Sequence, residues 1–406
     1  MSILKKYNKL RTNDRLYLIF ISFFWLYGFM GAFWTLVGAN PNIANTIILF
    51  ILAILCHGKW NKLIRPSDLF LYLIIVSLYY LSSIIYPVSK DMVISNAFEV
   101  LLVAVPFFFV GLIFKNEDFK GWLLLLSRLA IIINIVFSLF HSVDEENMHR
   151  AYMLLPSVLF ILAQLFERFN LVDVLFFILG FLMESSLGTR GPFVCILLFA
   201  AVYLFFFKDW RYKWSVRIVL GTISIVLFSL SNYIAQFMIT FLASFGQSTR
   251  IFDSMMDHSL LNYEDSNGRN EIQEDLLNIL SKDDSGIGFG LFSDRILSSY
   301  GYSSHNIIVE IWFSFGYYWG SVLLLLFFVL SIIFFIKTKN NSTRIFGLMF
   351  FTVSFLKLMF SDCFILDGYL FFFIGYCING LRSNKTRKRY NERRISSKQI
   401  VVVKYK

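Results

Sequence analysis

His305 is the side chain of this sequence best placed to act as a base, because it stands where a long polar stretch meets an apolar run in SSHNIIVEIWF. Ser303 or Ser304 can cap a helix that begins there, which would put His305 in the first helical turn. The free N–H groups and the dipole at that end disfavour an imidazolium, so we expect a neutral ring, as a general base requires. The alternative is a histidine that only helps to cap the helix. Glu310 lies well around the helix from His305, so the spacing does not support a His–Glu dyad.

Arg190 stands in SSLGTRGPF, at the start of a predicted apolar helix. Small residues precede it and Gly191 follows it, so that a backbone and a guanidinium can approach a phosphate together. The alternative is an arginine that reaches from a helix end to the lipid headgroups.

Arg269 opens GRNEIQEDLLNIL, a segment in which Ile272, Leu276 and Leu280 fall near one face of an amphipathic helix. We predict that this helix lies along the outer surface with Arg269 at its start. The alternative is a solvated charge beside acidic neighbours. A further segment, GIGFGLF at 286–292, holds three glycines in a tight loop. As a phosphate-binding signature it is weak, because no strand precedes it and no lysine follows it.

Several other ionisable residues have simpler interpretations. Asp283 and Asp284 are typical of a solvated turn, and we expect neither a metal site nor a cofactor. Five ionisable residues fall inside predicted apolar helices, where such groups usually face a polar cavity or each other. They are Glu99, Arg128, Asp173, Glu184 and Lys357. Glu99 and Arg128, on consecutive helices, are candidates to pair.

The composition is that of a polytopic, all-α membrane protein. Hydrophobic residues make up 57% of the 406 residues, and apolar runs of about 18 residues or more recur along the chain. The first run follows a basic N-terminal segment and is too long for a signal-peptide core, so we expect it to stay in the membrane. The four cysteines all fall in apolar segments without a CxxC pair and are interpreted as core residues.

We predict about twelve membrane-spanning helices, since backbone in hydrocarbon must satisfy its own hydrogen bonds. Their approximate ranges are 16–38, 41–56, 67–86, 92–114, 121–141, 150–166, 170–186, 191–207, 215–236, 305–336, 343–361 and 363–381. With both termini in the cytoplasm, the cytoplasmic segments hold 28 of the 37 lysines and arginines and the outer segments hold 7, as the positive-inside rule requires. The net charge of +10 therefore reflects topology, with no nucleic acid expected as a partner.

This topology divides the chain into four parts. Residues 1–236 hold helices one to nine, and 237–304 form one large extracytoplasmic loop with an amphipathic helix. Residues 305–381 hold helices ten to twelve, and 382–406 form a basic cytoplasmic tail that faces anionic membrane lipid. The three residues considered first all fall on the outer side.

Taken in order, these features resemble the bacterial O-antigen polymerase and ligase superfamily. An outer Arg-Gly follows small residues (GTRG), and a large outer loop holds an arginine that opens a helix (GRNEI). A glycine-rich turn comes next, and then His-Asn, a glutamate and a pair of glycines (SHNIIVEIWFSFGYYWG). The resemblance covers residues 184–320. The chain departs from it at Gln273, near which the family often has an aromatic residue.

The resemblance implies a metal-independent glycosyltransferase on the outer face of the cytoplasmic (inner) membrane of a bacterium. Its donor would be an oligosaccharide linked to undecaprenyl pyrophosphate, and a chain-length regulator and a flippase would be candidate partners. Arg190 and Arg269 would bind the pyrophosphate, and His305 would take the proton of the acceptor hydroxyl. Secondary candidates for the same site are Asn306, Glu310, Gly288, Gly290 and Arg295.

Within this family we favour a repeat-unit polymerase, which makes O-antigen, capsule or exopolysaccharide, over an O-antigen ligase, which transfers the glycan to the lipid A–core of lipopolysaccharide. A flippase for lipid-linked oligosaccharides, which is not an enzyme, is another alternative. Transporters of that kind are usually built from repeats with mid-membrane sites, and no repeat is visible here. A metal-dependent membrane glycosyltransferase would need an acidic pair in the first outer loop, and that loop, GANPN, has no carboxylate.

Overall fold

The structure is a computed structural model, and every regular element in its described part is a helix. The described residues are 12–26, 29–30, 34, 38, 41–55, 65–114, 116–140, 147–187, 189–207, 218, 222, 231–244, 252–253, 256, 269–283, 286–361 and 363–382. For these residues the prediction of an all-α chain is confirmed.

We number the helices of the described residues in chain order. They are α1 (Thr12–Trp25), α2 (Pro41–Leu55), α3 (Pro66–Ile85), α4 (Pro87–Ile113), α5 (Asn116–Phe140), α6 (Asn147–Glu167), α7 (Leu171–Ser186), α8 (Arg190–Phe207), α9 (Ser231–Ser244), α10 (Arg269–Ser281), α11 (Ser293–Leu297), α12 (Ile307–Lys337), α13 (Asn341–Phe351) and α14 (368–382). Short π-helical turns lie within α4 and at the end of α8, and a third, Thr352–Leu356, follows α13.

Six helices among the described residues are long and apolar enough to cross a membrane. They are α3, α4, Lys120–Ser138 of α5, Arg150–Glu167 of α6, α8 and α12. Apolar helices of this length are compatible with a multi-pass membrane protein. The six coincide with six of the twelve predicted spans, whereas α2, α7, α13 and α14 overlap four more and are shorter. The predicted spans at 16–38 and 215–236 fall partly outside the described residues.

Two helix boundaries differ from the sequence prediction for local reasons. α9 continues to Ser244, into the segment predicted as loop, because the sequence stays apolar from Ala235 onward. α14 begins at residue 368 and not at 363, because Asp367 caps it: its Oδ1 accepts a hydrogen bond from the backbone N–H of Leu370 at 2.9 Å.

Asparagine side chains cap three other helices and so set where they begin. Asn170 accepts a hydrogen bond from the N–H of Val172 at the start of α7, and Asn340 accepts one from Thr343 at the start of α13. Asn306 does the same at the start of α12, as described below. Each cap satisfies one backbone donor that a helix leaves free at its first turn.

Phenylalanine rings fill the larger core, where residues of α1, α4, α5, α6, α8, α13 and α14 meet. The ring centroids of Phe350 and Phe372 lie 4.3 Å apart, and those of Phe24 and Phe107 lie 4.6 Å apart. Aromatic pairs of this kind stabilise a core by roughly 0.5–1.5 kcal/mol each beyond the area that they bury. A second core joins α4 and α12 to the segment 355–371, so that this segment is packed from two sides.

α12 is broken at Gly316, whose backbone is non-helical (φ 76°, ψ 164°). The loop before α11 packs into this break. The N–H of Phe289 donates to the carbonyl of Phe313 at 2.9 Å, and the N–H of Gly290 donates to the carbonyl of Ser314 at 3.0 Å. The loop therefore supplies hydrogen bonds to the helical turn that ends at the break.

The charges within the predicted spans pair differently from the sequence prediction. Arg128 of α5 bonds to Asp173 of α7, with Nη2 2.5 Å and Nε 3.0 Å from the same carboxylate oxygen. The predicted pairing of Arg128 with Glu99 is therefore wrong. The reason is that α5 packs against α7, so the carboxylate that it meets is one that lies 45 residues away in the chain.

Candidate functional site

Arg190 begins α8, as predicted, and Gly191 explains why this helix start is packed so closely. A Cβ atom on Gly191 would overlap the hydroxyl of Tyr152 from α6 and would lie 3.2 Å from the Cβ of Phe360. Only a glycine lets the α8 backbone come this near to both side chains. The backbone that carries Arg190 thus lies beside the Tyr152 hydroxyl and Phe360.

Arg269 begins α10, and its guanidinium reaches the same place. Its Nη1 donates a hydrogen bond to the carbonyl of Phe360 at 2.9 Å. Ile272, Leu276 and Leu280 are buried on one face of α10, as the sequence predicted, and they pack against Val309 and Phe313 of α12. The two predicted arginine positions therefore converge on Phe360.

A lysine also lies next to Tyr152. Lys357 follows the π-helical turn Thr352–Leu356 and is buried, with its Nζ 2.8 Å from Asp367 Oδ2 and 5.5 Å from the centroid of the Tyr152 ring. The Tyr152 hydroxyl shares a hydrogen bond with Ser361 and lies in the field of both Lys357 and Arg269. We call Arg190, Arg269, Lys357 and Tyr152 the cationic cluster.

His305 lies just before α12 and not in its first turn. Asn306 is the capping residue, with its Oδ1 accepting the N–H of Ile308 at 3.0 Å, so the predicted cap by Ser303 or Ser304 is wrong. His305 is half-buried and has a left-handed backbone (φ 49°), with Ser303 Oγ 3.5 Å from its Nδ1. A residue in this conformation cannot continue a helix, which is why the helix begins one residue later.

Two side chains hold the turn that carries His305. Asp294 of α11 accepts the backbone N–H of Ser304 at 3.0 Å, and Gln273 of α10 donates to the Ser304 carbonyl at 3.2 Å. Because Gln273 lies one helical turn after Arg269, the helix that brings Arg269 to Phe360 also contacts the turn of His305. Sequence reasoning treated Gln273 only as a departure from the family pattern and did not identify Asp294.

Glu310 and Arg295, two of the secondary candidates, belong to a buried polar group beneath this turn. Glu310 is almost fully buried, and its two oxygens accept hydrogen bonds from Cys363 Sγ at 2.5 Å and from the N–H of Phe364 at 3.0 Å. Asp294 and Arg295 lie close enough to act on it electrostatically. Glu310 thus ties the first turn of α12 to the segment that also carries Lys357 and Phe360.

Burial raises the pKa of Asp294, although the N–H of Ser304 and the neighbouring Arg295 act in the opposite direction. Asp294 therefore holds a proton more readily than an exposed aspartate. Its carboxylate is almost fully buried, and Oδ1 has no hydrogen-bond partner among the described residues.

Gly288 and Gly290, the other glycine candidates, pack against protein. A Cβ atom on Gly288 would lie 2.7 Å from the carbonyl oxygen of Phe313 at the break in α12, and one on Gly290 would lie 2.7 Å from the ring of Tyr86. The N–H of Gly288 donates to Asp283 Oδ2 at 3.0 Å. The glycines of this loop are thus explained by close packing on α12 and Tyr86.

The described residues include no group of three or more His, Cys, Asp and Glu side chains arranged to hold a metal ion. Asp284 lies outside the described residues. No protein-family model, curated protein or solved structure matches this chain. Any functional conclusion therefore depends on the chemistry of the residues themselves.

Proposed function

We propose that the chain is a polysaccharide repeat-unit polymerase, a glycosyltransferase that joins oligosaccharides linked to undecaprenyl pyrophosphate. It would act on the outer face of the cytoplasmic membrane of a bacterium. The proposal includes twelve spans, both termini in the cytoplasm and residues 237–304 outside.

The observation that carries the proposal is the convergence of two arginine-bearing helix starts on one residue, Phe360: Arg269 donates to its carbonyl, and the α8 backbone next to Arg190 packs against its side chain. The helix begun by Arg269 also holds the turn of His305 through Gln273. Guanidinium groups bind phosphate oxygens in pairs, and an imidazole is the usual general base near neutral pH. A site with both kinds of group suits a donor that carries a phosphate leaving group and an acceptor that carries a hydroxyl.

The proposed reaction is a single displacement at the anomeric carbon of the donor sugar. The acceptor hydroxyl oxygen forms a bond to that carbon, and its proton passes to His305. The bond from the anomeric carbon to the phosphate oxygen breaks, and its electron pair leaves with the undecaprenyl pyrophosphate. Arg190 and Arg269 neutralise the charge that develops on that group. Attack from the opposite face inverts the anomeric centre.

The first experiment deletes the gene in its own host and restores it as wild type or as His305→Asn. Asparagine adopts a left-handed backbone more readily than most residues, so this variant keeps the φ of 49° while it removes the base. His305→Gly also lacks the base and tolerates a left-handed backbone, so it is the matched control for backbone strain. Surface glycan is then separated on a gel, and the amount of each variant in the membrane is measured.

We expect a ladder of repeats from the wild type and a single repeat unit from both the deletion and His305→Asn. A normal ladder from His305→Asn would exclude His305 as the base, and a normal ladder from the deletion would exclude the polymerase. If the deletion strain instead accumulates full-length polymer on undecaprenyl pyrophosphate, the chain is the ligase that transfers polymer to lipid A–core.

A further inference from the structure

Lys357 and Tyr152 lie next to both arginine positions, although sequence reasoning gave neither of them a role in the site. The Lys357 ammonium stands 5.5 Å from the Tyr152 ring centroid, and the Tyr152 hydroxyl occupies the space where Gly191 would carry a Cβ atom. Arg269, which donates to Phe360, acts on the same tyrosine electrostatically. The Tyr152 hydroxyl, Lys357 and Arg269 therefore lie close to the start of α8, which Arg190 begins.

The charge of the leaving group makes two arginines insufficient. A sugar linked to a lipid pyrophosphate carries two negative charges, and breaking the sugar–phosphate bond adds a third. Arg190 and Arg269 balance the first two. An ammonium has three N–H donors, so Lys357 can serve Asp367 and a phosphate oxygen at once.

The burial of both side chains makes them more effective for this purpose. Tyr152 and Lys357 are only 8% and 9% exposed. Donors that are held in place away from water stabilise developing charge more strongly than solvated donors, and they need no reorganisation during the reaction. The Lys357–Asp367 pair also keeps the ammonium in position before a ligand binds.

From this arrangement we propose that Tyr152 and Lys357 complete the pyrophosphate site. Lys357, while held by Asp367, and the Tyr152 hydroxyl each donate a hydrogen bond to a phosphate oxygen of the leaving group. The inference rests on the proposed function, since it assigns the lipid-linked pyrophosphate of that reaction as the ligand.

The test measures binding by the full-length, detergent-solubilised protein. The probes are inorganic pyrophosphate and geranylgeranyl pyrophosphate, a short-chain lipid pyrophosphate, and calorimetry gives the dissociation constants. The variants are Tyr152→Phe, which removes one hydroxyl, and the double variant Lys357→Met/Asp367→Asn, which removes both charges of the pair and leaves no buried charge unpaired.

Two matched controls come from other parts of the bundle. Tyr203→Phe removes the hydroxyl of another fully buried tyrosine, which contacts the carbonyl of Phe166. Arg128→Met/Asp173→Asn removes another intramembrane ion pair. Neither control touches the cationic cluster.

We expect Tyr152→Phe and the Lys357 double variant each to weaken pyrophosphate binding about tenfold or more, as for a lost charge-assisted hydrogen bond, while both controls bind as the wild type does. Lys357→Arg, which keeps the charge, should retain more affinity than the double variant. Equal affinities in all variants, or equal losses in the test variants and the controls, would overturn the inference.

The glycan gel separates this inference from the proposed function. If the wild type builds polymer but the Tyr152 and Lys357 variants bind pyrophosphate normally, the inference fails and the polymerase stands. If the variants lose pyrophosphate binding but deletion of the gene leaves the ladder normal, the anion site stands and the polymerase fails.

Discussion

Replacing Gly316 by alanine tests whether the packing of the glycine loop (286–292) into the break in α12 stabilises the protein. Its φ of 76° and ψ of 164° lie in a region that residues with a side chain rarely adopt. A Cβ atom there would overlap the Gly286 carbonyl group and would lie 3.0 Å from the backbone nitrogen of Gly288. The obstacle is backbone, so a change of side-chain rotamer cannot relieve it.

The expected cost has two parts. The backbone conformation costs about 1–3 kcal/mol for a residue with a side chain. Displacing the glycine loop also weakens the hydrogen bonds from Phe289 and Gly290 to α12, worth about 0.5–1.5 kcal/mol each. We therefore expect Gly316→Ala to lower the free energy of unfolding by about 2–6 kcal/mol.

Two other glycines separate strain from steric overlap. Gly121 lies in α5 with nothing within 4 Å of an added Cβ atom, so Gly121→Ala should stabilise the helix by about 0.5–1 kcal/mol. Gly301 has a φ of 68° and also has open space around it, so Gly301→Ala should cost only the left-handed backbone, about 1–2 kcal/mol.

The assay is denaturant unfolding of the detergent-solubilised protein, followed by tryptophan fluorescence. We expect the order of stability to be Gly121→Ala, wild type, Gly301→Ala and Gly316→Ala, from highest to lowest. If Gly316→Ala is no less stable than Gly301→Ala, the packing of the glycine loop into the break contributes nothing, and the explanation given for that loop is wrong.

Three further predictions concern buried charges. Because burial raises the pKa of Asp294, the folded protein holds a proton that the unfolded chain releases, so stability should fall as pH rises from the unfolded-chain pKa of about 4 through the higher folded-state pKa. Asp294→Asn should make the melting temperature depend less on pH over that range. Arg128→Met alone leaves Asp173 buried without its cation and should cost about 3 kcal/mol, whereas adding Asp173→Asn should recover part of that loss in thermal unfolding. Asp68→Asn removes a bidentate contact to Arg382 at the end of α14 and should speed trypsin cleavage after Arg382, compared with wild type in a timed digest.

Sequence reasoning located those features whose cause is local. The start of α10 at Arg269 and its buried stripe follow from apolar spacing within thirteen residues, and the start of α8 at Arg190 follows from small residues before an apolar run. The start of α12 was predicted within two residues, but its cap was not. Ser304 and Asn306 are both good capping residues, so local sequence alone cannot decide between them.

Contacts from outside the turn decide that cap. Asp294 accepts the backbone N–H of Ser304 and Gln273 donates to its carbonyl, and these contacts hold the turn so that the helix begins after His305. The same limit explains why sequence reasoning did not bring Lys357 and Tyr152 together, since the two residues lie on different helices. Pairings across helices depend on which helices pack together, and hydropathy does not contain that information.

Gln273 has a specific role in holding the turn of His305. In this chain its amide donates to the carbonyl of Ser304, next to His305, from a position one turn after Arg269. A phenylalanine at this position could pack against the turn but could not make that hydrogen bond. Gln273→Phe and Gln273→Glu both lack the amide donor, so each should reduce polymer formation at equal protein levels. A normal ladder from both variants would show that the proposed chemistry does not need this bond. The bond is therefore the physical link between the arginine helix and the histidine in this chain.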